Sequence, residues 1–148
     1  MSVVPVMTTA QGRRARRHFK DAAYVHHLGM RISKLAYGEA TVSMPVTDSL
    51  KQYQKLVHGG ALASLADTAA TMAALSGIPA GDDVVTIEFK MNYLNAIRSG
   101  KALAHAKLVR MGSRVVVMNV EVTKSPGEEL VATGLFTMLR YQLERTED

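Results

Sequence analysis

Residues 59–76 constrain this chain more than any other stretch. Ala61, Leu62, Ala63, Leu65, Ala66, Ala69, Ala70, Met72, Ala73, Ala74 and Leu75 leave a helix over this segment almost no face for water. A helix that is apolar nearly all round is a buried one. His58-Gly59-Gly60 stand at its start, and Gly77, with Pro79 two residues on, closes it. Its polar side chains are short. Ser64, Asp67, Thr68 and Thr71 fall at i, i+3, i+4 and i+7 and therefore share one stripe. A carboxylate in mid-helix is costly to bury unless something uses it. Asp67 is thus the most informative residue of the chain, and two uses fit it. It hydrogen-bonds a partner helix across an interface, or it is catalytic.

The rest of the sequence supplies strands to wrap such a helix. Residues 28–46 read as two strands broken at Tyr37-Gly38; in the second, Ala40, Val42, Met44 and Val46 share a face opposite Thr41 and Ser43. Residues 47–55 are polar and loop-like. After the helix, Val85, Ile87, Phe89, Met91 and Tyr93 alternate with Thr86, Glu88, Lys90 and Asn92, which predicts one face for each set. Turns at Arg98-Ser99-Gly100, Gly112-Ser113 and Ser125-Pro126-Gly127 separate strands over 101–111, 114–123 and 129–141. The order is two strands, one helix, then four strands joined mostly by tight turns. The expected class is α+β, an antiparallel sheet with one principal helix laid across it.

At 148 residues the chain suits one domain. The expected division is a basic arm or short helix over 1–24, the main domain over 25–141 and a tail over 142–148. No apolar run is long enough to read as a membrane span. With no cysteine, disulfides, thiolate metal sites, iron–sulfur clusters and a cysteine nucleophile are excluded. Five scattered histidines lack ligand spacing, so no metal site is expected, and His105 reads as structural. The net charge of +5 suggests nucleic acid until it is located. Arg13, Arg14, Arg16, Arg17 and Lys20 lie within the first twenty residues, which hold no acid; the other thirteen cations balance thirteen acids. The charge belongs to the arm and not to a binding face, so no nucleic-acid partner is expected. Residues 1–12 look irregular, 13–25 read as one basic helix, and the arm is expected to be a solvated or loosely docked tail and not a targeting segment.

Two features point to a site. Glycines let the backbone approach a ligand, and the first N–H groups of a helix have no intrahelical partners. At 59–60 such amides could hold a carbonyl oxygen as it becomes an oxyanion, or the pair could be a plain glycine-rich helix entry capped by His58. Gly60 and Asp67 are seven residues apart, about 10 Å along a helix. A base must lie near 3 Å from its water, itself beside the polarised carbonyl. One helix does not easily bring both groups to one carbonyl, whereas two copies packed across a twofold axis can. If both features are catalytic, the enzyme is a dimer with its sites at the interface.

Residues 52–77, QYQKLVHGGALASLADTAATMAALSG, resemble the signature of the hotdog-fold thioesterases, in particular the phenylacetate-degradation (PaaI-like) branch. VVTIEFKMNYLNAI and LVATGLFTML are similar to later segments of that family, and the likeness covers roughly 25–141. It implies a hotdog fold, a five- to six-stranded antiparallel sheet wrapped around one long helix. It also implies hydrolysis of acyl-CoA thioesters at sites shared between subunits of a homodimer, paired into a homotetramer, with no metal or bound cofactor.

Carried over, Gly59 donates the N–H that polarises the thioester carbonyl, and Asp67 of a partner activates water or attacks. Thr86 matches a hydroxyl that helps hold the water, and His58 orders the helix start. Gln52 stands where the family often has Asn, and Lys55 where a Gly often follows; glutamine keeps the amide and adds a methylene. Gly60, Ser64, Thr68 and Asn92 are expected near substrate, and Arg98, Arg110 and Arg114, at or beside turns, near the coenzyme phosphates. The expected protein is a cytoplasmic acyl-CoA thioesterase without a membrane partner. Its rivals are a hotdog protein that binds acyl-CoA without hydrolysis, and an interaction protein docking an anionic partner through its arm.

Overall fold

The computed structural model describes residues 3–144, so positions 145–148 of the expected tail lie outside it. The apolar segment forms a single helix, α3 (Gly59–Gly77), and all else is built around it. The chain runs α1 (Thr9–Asp21), α2 (Ala23–His27), β1 (Arg31–Ala36), β2 (Glu39–Pro45), a short 3₁₀ turn (Asp48–Leu50), α3, β3 (Asp82–Tyr93), β4 (Lys101–Met111), β5 (Val115–Ser125) and β6 (Leu130–Gln142). The six strands make one antiparallel sheet in the order β1-β2-β4-β5-β6-β3. α3 lies across its inner face, mainly over β2, β4 and β5. This is the hotdog arrangement.

Alanine on both sides explains the close seat of the helix. β4 alternates so that Ala102, Ala104 and Ala106 point inward, and Ala66, Ala69, Ala70, Ala73 and Ala74 of α3 are fully buried above the sheet. Met44, Leu65, Met72, Leu75, Met118, Phe136 and Met138 fill the remaining volume. Ser76, buried at the helix end, accepts from the Gly38 amide at 2.9 Å and ties the β1–β2 turn to α3.

Strand β3 departs from the simple alternation. Pairing with β6 slips between Thr86 and Glu88, which makes Ile87 a β-bulge. Before the bulge, Val84 and Thr86 face the helix and Val85 faces away. After it, Phe89, paired and stacked with buried Phe136 at 4.9 Å between ring centroids, faces the helix together with Met91 and Tyr93. The expected single apolar face of β3 is therefore divided, because one extra residue reverses the side-chain phase.

Of the two arrangements expected for the N-terminal arm, solvated or loosely docked, it is docked, and more firmly than expected. Its helix begins at Thr9, four residues before the expected start, through a capping box between Thr8 and Gln11. It breaks at Ala22, which has extended φ/ψ, so two helices replace the expected one. Ala15 and Phe19 are buried. The Gln11 amide donates to the carbonyls of Gly77 (3.1 Å) and Ile78 (2.9 Å), and Arg14 donates to those of Leu75, Ile78, Pro79 and Asp82. Carbonyls at a helix C-terminus lack partners and carry partial negative charge, so a guanidinium there satisfies both needs. One of the five arm cations is thus structural, while Arg13, Arg16, Arg17 and Lys20 stay exposed.

Candidate active site

The loop before α3 sets the position of the helix start. Val57 donates to the Ile97 carbonyl (2.9 Å) and His58 to that of Leu50 (2.8 Å). A tight turn at 52–56 is closed by Gln52 N–H to the Leu56 carbonyl (2.8 Å) and Lys55 N–H to the Gln52 carbonyl (2.9 Å). Lys55 adopts φ +63°, the left-handed conformation in which glycine is at ease. The lysine that departs from the family pattern therefore stands in a conformation that a glycine would adopt without strain. Arg98 donates to the Gln54 carbonyl at 3.0 Å, so this arginine braces the loop instead of standing free at a turn. Gln52, Gly59, Leu62, Tyr93, Leu94 and Ile97 line a cleft of about 410 Å³ here.

At the helix start, hydrogen bonds commit every polar group of the two glycines except one. The His58 imidazole accepts the Gly60 amide at Nδ1 (2.8 Å), which places its proton on Nε2 and makes it the N-cap of α3. The Tyr93 hydroxyl donates to the Gly59 carbonyl (3.0 Å), and the Ser64 hydroxyl to the Gly60 carbonyl (2.8 Å). The Gly59 amide has no acceptor among the described residues. Gly60, expected to contact substrate, has its N–H occupied by His58. Ser64 and Thr68 spend their protons on the Gly60 and Ser64 carbonyls, the latter at 2.8 Å. The hydroxyl of a helical Ser or Thr readily turns back onto the preceding turn.

Asp67 sits half-buried two turns along, accepting from the Thr86 hydroxyl at 2.6 Å. Burial pushes its carboxyl above the usual carboxylate range, and the Thr86 hydrogen bond offsets part of that rise. Thr86 thus orients the carboxylate, and its oxygen keeps acceptor capacity beside it. Gly59 and Asp67 lie about 12 Å apart along α3, so one protomer does not bring them together. Asn92 is not brought to the site either: Tyr93 reaches the helix, and its neighbour in the strand points to the other face of the sheet. Arg110 and Arg114 do meet, on a shallow cleft of about 440 Å³ around Gly112 and Ser113. That turn lies near the far end of α3, where Met111 packs against Gly77. Among the described residues no three His, Asp or Glu side chains converge as metal ligands, and no helix is long and apolar enough to cross a membrane.

Sequence reasoning missed Tyr93 and Tyr24. Tyr93 reads as one more apolar strand residue, and nothing in its spacing marks a hydroxyl aimed at a helix start.

A sheet wrapped around one long helix, with an open glycine amide at the helix start and a carboxylate two turns on, is the hotdog arrangement that the resemblance led us to expect. The family comparison agrees: residues 54–131 match the model of the thioesterase superfamily, and the chain belongs to that family. It is similar to a thioesterase family protein of Silicibacter pomeroyi (26% identity, TM-score 0.85, covering 90% of this chain and 99% of that one). It is also similar to the PaaI protein of the Escherichia coli phenylacetic acid degradation operon (25%, TM-score 0.81, 93% and 96%). A 1,4-dihydroxy-2-naphthoyl-CoA hydrolase of Escherichia coli is 27% identical over 115 residues, 78% of this chain and 85% of that enzyme.

Proposed function

We propose that this protein is an acyl-CoA thioesterase whose site forms between two copies of the chain. The observation that carries the reading is the Gly59 amide, the one donor left open at a helix start where every neighbouring group is committed. A thioester carbonyl placed on it gains a donor and the positive end of α3 as negative charge develops on oxygen. Asp67 of the second copy is the general base. A half-buried carboxylate is a stronger base than an exposed one, and Thr86 holds one of its oxygens while the other stays available to water. Attack of that water on the carbonyl carbon expels CoA as thiolate, and the proton passes to Asp67 and on to the leaving sulfur. Gln52 lies on the cleft beside Gly59, where its amide can contact the acyl group. No metal takes part in this scheme.

The unpaired edge of the protomer supports the second copy. β3 is a twelve-residue edge strand with Val85, Ile87 and Phe89 about half exposed (49%, 57% and 45%). A long apolar edge is a template for pairing. Beside it the stripe of Ala63, Asp67, Thr68 and Thr71 is only partly covered. Antiparallel pairing of β3 with its copy lays one α3 along the other and brings Gly59 of each toward Asp67 of its partner. The same operation turns Arg110 and Arg114 toward the partner's helix start, where coenzyme phosphates need cations.

Free-thiol release from short, medium, long and aryl acyl-CoAs tests the reading. Turnover with at least one class is expected. Saturable binding of the panel with no thiol released from any member would replace the enzyme with an acyl-CoA-binding protein.

A further inference from the structure

The double glycine that exposes the Gly59 amide is also the least restrained backbone in the site. Each glycine has access to conformations closed to other residues. Catalysis by an amide requires the donor to be fixed before charge develops, since reorienting it during the reaction would forfeit the gain. Something other than the glycines must hold them. The peptide between Gly59 and Gly60 is gripped at both ends, its N–H by His58 Nδ1 at 2.8 Å and its carbonyl by the Tyr93 hydroxyl at 3.0 Å. The next carbonyl, that of Gly60, takes the Ser64 proton. With that proton committed, the Tyr24 hydroxyl, 2.9 Å from Ser64 Oγ, must be the donor of that pair. The Tyr93 ring also stands against Gly59, where a Cβ would come within 3.3 Å of it.

We infer that Tyr93 and, through Ser64, Tyr24 are positioning residues that brace the two glycines from two different elements and keep Gly59 N–H as the single free donor. The inference rests on the thioesterase reading for its kinetic consequence but not for its structural one. Tyr93 comes from β3 beyond the bulge and Tyr24 from α2, so the brace links the sheet edge and the N-terminal region to the helix start. The Tyr93 hydroxyl acts on the backbone directly, and the Tyr24 hydroxyl acts on it through the Ser64 side chain.

The test uses Tyr93→Phe and Tyr24→Phe in the full chain, with steady-state kinetics on the best substrate of the panel and amide hydrogen exchange at Gly60. Tyr93→Phe is expected to lower kcat about tenfold with KM within about twofold, less than the hundredfold or more typical of losing an oxyanion donor outright. Tyr24→Phe, one hydrogen bond further removed, lowers kcat by about threefold. Both speed exchange at Gly60. Unchanged kcat and unchanged Gly60 exchange in Tyr93→Phe would overturn the brace, as would a raised KM at constant kcat, which would make Tyr93 a substrate contact. If the wild type releases no thiol from any thioester, the functional reading fails by itself, and the exchange measurement still decides whether the glycines are braced.

Discussion

Replacing Asp67 with asparagine separates a catalytic carboxylate from a structural one, because the two roles predict opposite signs in stability. The side chain keeps its size, and asparagine Oδ1 can still accept the Thr86 hydroxyl now 2.6 Å from the carboxylate. What is lost is the charge and the basic lone pair. Loss of a positioned general base costs roughly a hundred- to ten-thousand-fold in rate, or about 3 to 5 kcal/mol of transition-state stabilisation at 1.36 kcal/mol per decade. Stability should move the other way. Burial raises the carboxyl's affinity for its proton in the folded chain, so the ionised form is a burden on the native state. That burden is absent at acid pH, where both folded and unfolded chains carry the proton. It grows as pH rises from the ordinary carboxylate range to the raised native value, and persists above it. The variant should therefore melt at or above the wild-type temperature at neutral pH and lose that advantage in acid. Wild-type kcat/KM should fall on the acid side with a midpoint above the ordinary aspartate value, and residual turnover of the variant should lack that limb. Calorimetry from acid to neutral pH beside thiol-release kinetics measures both. Retained turnover together with a lowered melting temperature would refute the assignment and leave Asp67 as an interface hydrogen-bonding group.

Three other outcomes follow from the fold. Lys55→Gly removes a side chain from a left-handed position that costs about 1 kcal/mol or more, partly offset by the greater freedom of glycine in the unfolded chain; chemical denaturation should show a gain of about 0.5 kcal/mol with unchanged turnover. Arg14→Ala leaves the carbonyls at the end of α3 without their guanidinium, and two or more charged hydrogen bonds at about 1.5 kcal/mol each predict a loss near 3 kcal/mol in the same assay. Ile87→Lys places a charge on the open edge of β3; sedimentation should show a shift toward monomer, and activity should fall in proportion, since each half-site lacks its partner's residue.

The parts of this molecule that follow from local pattern were legible in the sequence. The helix over 59–77, the tight turns and the inward faces of β2 and β5 all stand where periodicity and turn residues put them. What escaped depends on pairing and on distant partners. The residues 85–89 alternate perfectly as a string, and only the register against β6 shows that Ile87 is the odd one out. Arg14 looks like its four exposed neighbours until the C-terminus of α3 arrives beside it. At the site, His58, Gly59 and Asp67 were marked by their chemistry, while Gly60, Ser64 and Thr68 were marked by proximity and turn out to satisfy one another. The left-handed backbone at Lys55 was not legible either, because letters do not report φ.

The bulge at Ile87 has a consequence that is a matter of counting. Thr86 and Tyr93 are seven positions apart, an odd number, and in an unbroken strand odd separations put side chains on opposite faces. Yet Thr86 reaches Asp67 and Tyr93 reaches Gly59, both on α3. Only one surplus residue between them changes the parity and lets a single strand serve both ends of the half-site. A β3 of the same sequence paired regularly through Ile87, with no bulge, would still be a good strand by composition and turns. It would have to choose between holding the carboxylate and holding the glycine carbonyl. The bulge in β3, more than its composition, is what lets one strand reach both places on α3.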